Sequence, residues 1–341
     1  MYEAFYGLKE RPFELVPNPR FLFLTPRQRE ALSNLQYGLT TARGLTLLIG
    51  EAGTGKTTLV QAALADPTSA TVKVVLMSNP TLTRSEFYEF LAGAFGLTDA
   101  AAESKTRFLY ELKRELQERF HAGTLSALVI DEAQSIPYEL LEEIRLLSNI
   151  ETPTTKLLNV ILAGQPELSD RLNDKSLRQL KQRISLRCQL NPMELNETAS
   201  YIAGRIRIAG GRPELVFTRE AVGAVFQAAG GLPRTVNVIA DNALIGGFAA
   251  QVKPITAAFV DEVCRDFDID ALGVAATAGS AAAASSLWEG SADAEPAGAP
   301  AAAARETRRI EPSRAPQVPS PASGEAPMFD AISRRRRFSF F

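Results

Sequence analysis

The chain has 341 residues, 45% of them hydrophobic, with 37 basic and 39 acidic side chains and a formal net charge of -2. That is apolar material for one large core or two moderate ones. The charge balance argues against a global attraction to polyanions. Two cysteines, Cys188 and Cys264, with no CxxC pair argue against a disulfide framework or a thiolate zinc site and read as core residues.

The opening residues MYEAFYGLKERPF lack the basic stretch and apolar run of a secretory signal. In chain order, residues 45–49 form a short apolar run that ends at GEAGTGKT and is followed by the helical stretch TLVQAALA. Residues 72–77, 125–130, 157–163 and 185–190 read likewise as buried parallel strands. Between them Phe108, Leu112 and Leu116 repeat every four residues, and Leu140, Ile144 and Leu147 share one helical face. Strands alternating with helices predict an α/β layered fold on a parallel sheet.

From 195 to 267 the strand pattern vanishes, and helix-like segments at 198–209, 219–229 and 235–248 predict an all-helical second domain. Beyond about 270 the chain turns to Ala, Pro and Ser with few large apolar residues, the composition of a disordered tail. The expected division is a P-loop core at 1–192, including an N-terminal segment 1–44, a helical lid at 193–270 and the tail at 271–341. The uncharged stretch 271–288 approaches the length of a membrane span, but its Ala, Gly, Ser and Thr weaken insertion, so no integral span is expected. The tail ends in SRRRRFSFF, four arginines beside three phenylalanines, suited to an anionic lipid surface or a partner's groove. The first 270 residues carry 29 basic and 32 acidic side chains and are mildly acidic.

Gly50, Glu51, Ala52, Gly53, Thr54, Gly55, Lys56 and Thr57 match G-x-x-x-x-G-K-[ST] between a strand and a helix, and Thr58 continues the contact surface. Glycines at 53 and 55 let backbone N–H groups curl around phosphates, toward which the following helix points its positive end. Lys56 would reach the β- and γ-phosphates of ATP, and the Thr57 hydroxyl would join the coordination of Mg²⁺. In ALVIDE a buried strand delivers Asp131 and Glu132 at its carboxyl end, where α/β sheets place ligands. Asp131 would hold Mg²⁺ through its water shell, and Glu132 would orient and polarise the attacking water. Hydrolysis beyond binding is the expectation.

The order of these parts resembles an AAA+ ATPase, and more closely the ExeA or general secretion pathway protein A family, which is related to ATPases of transposition. The resemblance covers about residues 1–268 and rests on MYEAFYGLKERPF, PNPRFLFLTPRQREALSNLQYGL, the P-loop, VIDEAQ, LAGQPEL, LRQLKQRI, ELNETASYIAGRIRIAGG and GLPRTVN. By that resemblance Gln165 looks like the polar sensor of the γ-phosphate, and Arg234 like a second sensor reaching the nucleotide from the lid. Arg183, with Arg178 as competitor, looks like the arginine that a neighbouring subunit offers to the γ-phosphate, which implies a homo-oligomer. Arg11, Pro12 and Phe13 would lie near the adenine or form a hydrophobic staple. Members of the family can continue through a membrane helix into a peptidoglycan-binding domain, and neither is recognisable here.

The role so implied is ATP turnover that drives or times assembly of an envelope secretion, pilus or polysaccharide-export machine. The protein would be cytoplasmic or peripheral at the inner membrane, with a membrane or secretion-machinery partner. The alternative is an ATP-dependent DNA-binding regulator of transposition.

Overall fold

A computed structural model describes residues 1–16 and 18–266. The expectations for the tail at 271–341, its uncharged stretch and its SRRRRFSFF end fall outside the described residues. The chain begins with helix α1 (Tyr2–Tyr6), continues through a short 3-10 turn, and enters α2 (Pro26–Thr40). Thr25 starts α2 by accepting from the Gln28 N–H, while the Gln28 side chain accepts from the Thr25 N–H, a reciprocal cap that satisfies two orphan donors.

The α/β part then runs β1 (Leu45–Gly50), α3 (Lys56–Ala65), β2 (Val72–Met77), α4 (Arg84–Phe95), α5 (Asp99–Ala102), α6 (Lys105–His121) and β3 (Leu125–Ile130). It finishes with α7 (Tyr138–Leu147), β4 (Leu158–Gly164), α8 (Pro166–Leu172), α9 (Arg178–Lys181) and β5 (Ile184–Leu190). All five strands are parallel in the order β2-β3-β4-β1-β5. The strands with two neighbours, β1, β3 and β4, are buried almost throughout and read as unbroken apolar runs. The edge strands β2 and β5 alternate exposed and covered residues. Leu47 and Ile49 face a layer formed by α4, α6, α7 and α8, whereas Leu48 faces α2 and α3, as a side-chain period of two requires.

The register aligns Ile49 with Gly164, Met77 with Ile130 and Gly50 with Leu190. The loops that follow β1, β3 and β4 therefore open at one edge of the sheet. Cys188 is buried in β5, and burial pushes its thiol pKa up.

After β5 the chain is helical: α10 (Leu195–Ile208), α11 (Pro213–Val216), α12 (Arg219–Ala229), α13 (Pro233–Ala249) and α14 (Ala257–Asp266). Ile202, Ile206, Val225, Val236, Ile239 and Val260 form its core, with Cys264 at the margin. Of the N-terminal segment 1–44, grouped from sequence with the sheet core, α2 does pack on the sheet through Ala31, Leu35 and Leu39, whereas Tyr2, Tyr6, Leu8, Phe13 and Phe21 are buried in this helical core. The Tyr6 hydroxyl donates to the Val252 carbonyl at 3.0 Å, and the Lys9 N–H to the Ala209 carbonyl at 2.7 Å. A five-residue helix such as α1 cannot bury its aromatic face alone, and it packs against α13. Among the described residues no helix is long and apolar enough to cross a membrane.

Candidate nucleotide site

β1 ends in Gly50, and the loop turns through Gly53 at φ 83° before α3 starts on Gly55. A β-carbon at Gly53 would combine that left-handed backbone with a 3.1 Å approach to the Arg234 side chain, so glycine is required there. Lys56 is 5% exposed, with its ammonium donating to the carbonyls of Gly50 at 2.9 Å and Glu51 at 3.0 Å. Burial lowers its pKa, and Glu132 and Asp131 push back toward the charged form. The loop thus closes on its own lysine, a desolvated cation held by two carbonyls that a phosphate can outbid.

The Thr57 hydroxyl donates to Asp131 Oδ2 at 2.6 Å, which joins the first turn of α3 to the carboxyl end of β3. Asp131 is 6% exposed, and its other oxygen accepts from the Glu132 N–H at 2.9 Å. Glu132 stands at φ 52°, one of two non-glycine residues with positive φ among those described. Such strain persists where the surroundings enforce it. Glu132 Oε2 accepts from Gln134 Nε2 at 2.6 Å and from Gln165 Nε2 at 3.4 Å, which brings the ends of β3 and β4 together.

Arg234 enters from the helical part. It occupies the first turn of α13 behind Pro233, and its N–H donates to the Gly53 carbonyl at 3.2 Å. Its side chain lines, with Lys56, Thr57 and Glu132, a cleft of about 370 Å³ between the P-loop and the helices. The cleft is also lined by residues 14–16, 18 and 21–24 together with Tyr201, Arg205 and Asn237. Arg11, Pro12 and Phe13, expected either near the adenine or in a hydrophobic staple, do not line it. Phe13 is wholly buried against Phe217 at 6.2 Å between ring centroids, and Pro12 offers only its carbonyl to Arg205 Nε at 2.5 Å.

The structure therefore places Gly53 to Thr58, Glu132 and Arg234 in the lining of the cleft and joins Asp131 and Gln165 to it through Thr57 and Glu132, while Gly50, Glu51 and Ala52 do not line it and the first two accept from the Lys56 ammonium. Arg183 stays apart, bound to Asn149 Oδ1 at 2.7 Å and to the Gln179 carbonyl at 2.9 Å, and Arg178 is exposed outside the cleft. Sequence reasoning missed Gln134, Tyr201, Arg205 and Asn237. Arg205 did leave a signal, a charged residue on the apolar stripe of Ile202 and Ile206. Its guanidinium lies 5.1 Å from the Phe21 ring centre and donates to the Tyr201 hydroxyl at 2.5 Å. Gln134 left none, because its partner Gln165 is 31 residues away in sequence. Among the described residues no group of three or more His, Cys, Asp and Glu could hold a metal by itself.

A parallel sheet in this strand order, with a P-loop after β1, an acidic pair after β3 and helices beyond β5, defines an AAA+ P-loop protein. The AAA domain family model matches residues 39–172. The solved ORC2 protein of Aeropyrum pernix superposes with a TM-score of 0.56 at 17% identity, covering 76% of this chain and 72% of that one. Cdc6p from Pyrobaculum aerophilum gives 0.55 at 16% identity, covering 72% and 68%. At such identities the likeness is one of fold.

Within that class the chain is a relative of general secretion pathway protein A. The Aeromonas hydrophila protein of that name is 40% identical over 251 residues, 73% of this chain and 45% of its own length. The Mu-like prophage FluMu DNA transposition protein B of Haemophilus influenzae is 31% identical over 134 residues, 39% of this chain and 43% of that protein. The chain spans less than half the length of either curated relative.

Proposed function

We propose that the chain binds Mg-ATP in the cleft, hydrolyses it, and uses the cycle to drive or time assembly of an envelope secretion, pilus or polysaccharide-export machine. The observation that carries the chemistry is that Lys56, Thr57, Glu132 and Arg234 line one cleft, with Asp131 hydrogen-bonded to Thr57. The residues fit a magnesium nucleotide. The buried Lys56 cation has only loop carbonyls to give up, and the Thr57 hydroxyl and Asp131 carboxylate form a pair of hard oxygen donors. A cation that takes its remaining ligands from phosphate and water needs no larger protein cluster.

Bound with the nucleotide, Mg²⁺ supplies neutralisation of charge at the β- and γ-phosphates. Thr57 and Asp131 would hold it. Lys56 exchanges its carbonyls for phosphate oxygens, Glu132 polarises the attacking water and accepts its proton, and Gln165 contacts the γ-phosphate or that water. Arg234 links the phosphate end to the helical part, so phosphate occupancy changes the angle between sheet and lid and the surface offered to a partner. Arg183, outside its own cleft, serves the site of the next protomer in a homo-oligomer. The ORC2 neighbour, solved as ADPNP–ADP complexes, supports the choice of adenine nucleotide.

The envelope role is supported by the general secretion pathway relative, and a peripheral place at the inner membrane goes with it. The second reading, DNA binding in transposition, is favoured by the shorter match to the prophage protein. Two variants test the chemistry: Lys56→Ala should lose ATP binding, and Glu132→Gln should bind ATP but turn over about 10²-fold slower or worse. Unchanged turnover in Glu132→Gln sinks the catalytic assignment. Sedimentation velocity of Glu132→Gln with Mg-ATP and labelled duplex DNA then separates the roles. The envelope reading expects an ATP-dependent assembly that leaves the DNA free, and co-sedimentation of the DNA puts the transposition reading first.

A further inference from the structure

Gln134 is the polar side chain at the phosphate end that the mechanism above leaves without a task. Its amide is gripped at both ends: Nε2 donates to Glu132 Oε2 at 2.6 Å, and Oε1 accepts from the backbone N–H of Gln165 at 3.0 Å. Its backbone is clamped as well, since the Arg171 guanidinium donates to the carbonyls of Gln134 at 2.5 Å and Ile136 at 2.7 Å. The last residue of β4 makes room for it. A β-carbon at Gly164 would stand 3.2 Å from both the nitrogen and Oε1 of Gln134 and 2.8 Å from Leu168, so a side chain there would displace the amide.

The outcome is an asymmetric carboxylate. Glu132 Oε2 receives two amide donors, from Gln134 and Gln165, whereas Oε1 has no hydrogen-bond partner among the described residues. A general base needs this division of labour, with one oxygen anchored to fix the group and the other free to take a water.

We propose that Gln134 is a positioning residue for hydrolysis: it anchors the Glu132 carboxylate through Oε2 and couples it to Gln165, so base and γ-phosphate sensor hold one geometry. The inference rests on the reading of Glu132 as the base. No new bond chemistry is involved; the proton still passes from water to Glu132.

The test is steady-state ATP hydrolysis by the full chain, with ATP binding titrated for every variant. Gln134→Ala should lower kcat about 10- to 100-fold and leave KM within about twofold, because it acts after binding. Gln134→Glu keeps an acceptor for the Gln165 N–H but loses the donor to Glu132 and adds a like charge, so it should fall at least as far. In a Glu132→Gln background, Gln134→Ala should change the residual rate by less than about twofold, since its effect passes through the missing carboxylate. A wild-type kcat in Gln134→Ala overturns the proposal while leaving the hydrolysis reading intact, and so does an equal loss in both backgrounds. Wild-type turnover in Glu132→Gln removes the base and the proposal together. Should the alanine variant fail to fold, the glutamate variant decides: full activity there refutes the anchoring role.

Discussion

Arg234 shows how much one residue can carry. Its backbone N–H holds the Gly53 carbonyl while its side chain lines the cleft, so the two roles can be separated by truncation. Arg234→Ala keeps the backbone bond and removes the guanidinium. A charge-assisted hydrogen bond is worth roughly 1.5–3 kcal/mol, so ATP should bind about 10- to 100-fold more weakly while ADP stays within about threefold. Equal losses for the two nucleotides, measured by titration calorimetry, would remove Arg234 as a γ-phosphate sensor. Lys56, Thr57, Asp131 and Glu132 were legible as candidates because each stands at a fixed offset from a strand end. Gln134 was not, since a contact between two strand-end loops leaves no periodicity in either.

At the scale of elements, α4, α6 and α7 are tied at one point. Glu143, 3% exposed, accepts from the Tyr88 hydroxyl at 2.6 Å and from Lys105 at 2.7 Å, and it pairs with Arg84 at 3.2 Å. Burial alone would raise its pKa, but the hydrogen bonds from Lys105 and Tyr88 and the nearby positive charges outweigh it, and the carboxyl lies below its ordinary value. A depressed carboxylate pKa stabilises the fold above the unfolded-state value, and that contribution fades as pH falls through the folded-state value. Both cations are about half exposed, which limits the gain. Glu143→Ala should cost about 1–3 kcal/mol at pH 7 and flatten the acid side of the urea midpoint plotted against pH. A plot that keeps the wild-type acid slope would show that Glu143 does not carry it. Sequence periodicity found the buried faces of α6 and α7, but a glutamate at the edge of an apolar stripe looks the same whether it meets solvent or a lysine from another helix.

For the whole molecule, the role proposed for Arg183 requires assembly, and that requirement can be tested. Arg183 is held by Asn149 and Gln179 of its own chain and does not line its own cleft. Arg183→Ala should therefore bind ATP normally and fail to hydrolyse it, and mixing it with Lys56→Ala protein should restore part of the activity. No recovery in the mixture at any protein ratio counts against a site shared between protomers. The sequence by itself determined the five strands, the phosphate loop and the acidic pair, because apolar runs buried on both faces and strand-end motifs are local signals. Only the tertiary structure decided the rest. It took the aromatic N-terminal residues into the helical core, lined the cleft with residues 14–16, 18 and 21–24, and closed the Glu132–Gln134–Gln165 contact. Each of these joins segments far apart in the chain. Such contacts are selected by which apolar face is left uncovered and which polar groups are left unpaired once the sheet has formed, and neither is written in a local pattern.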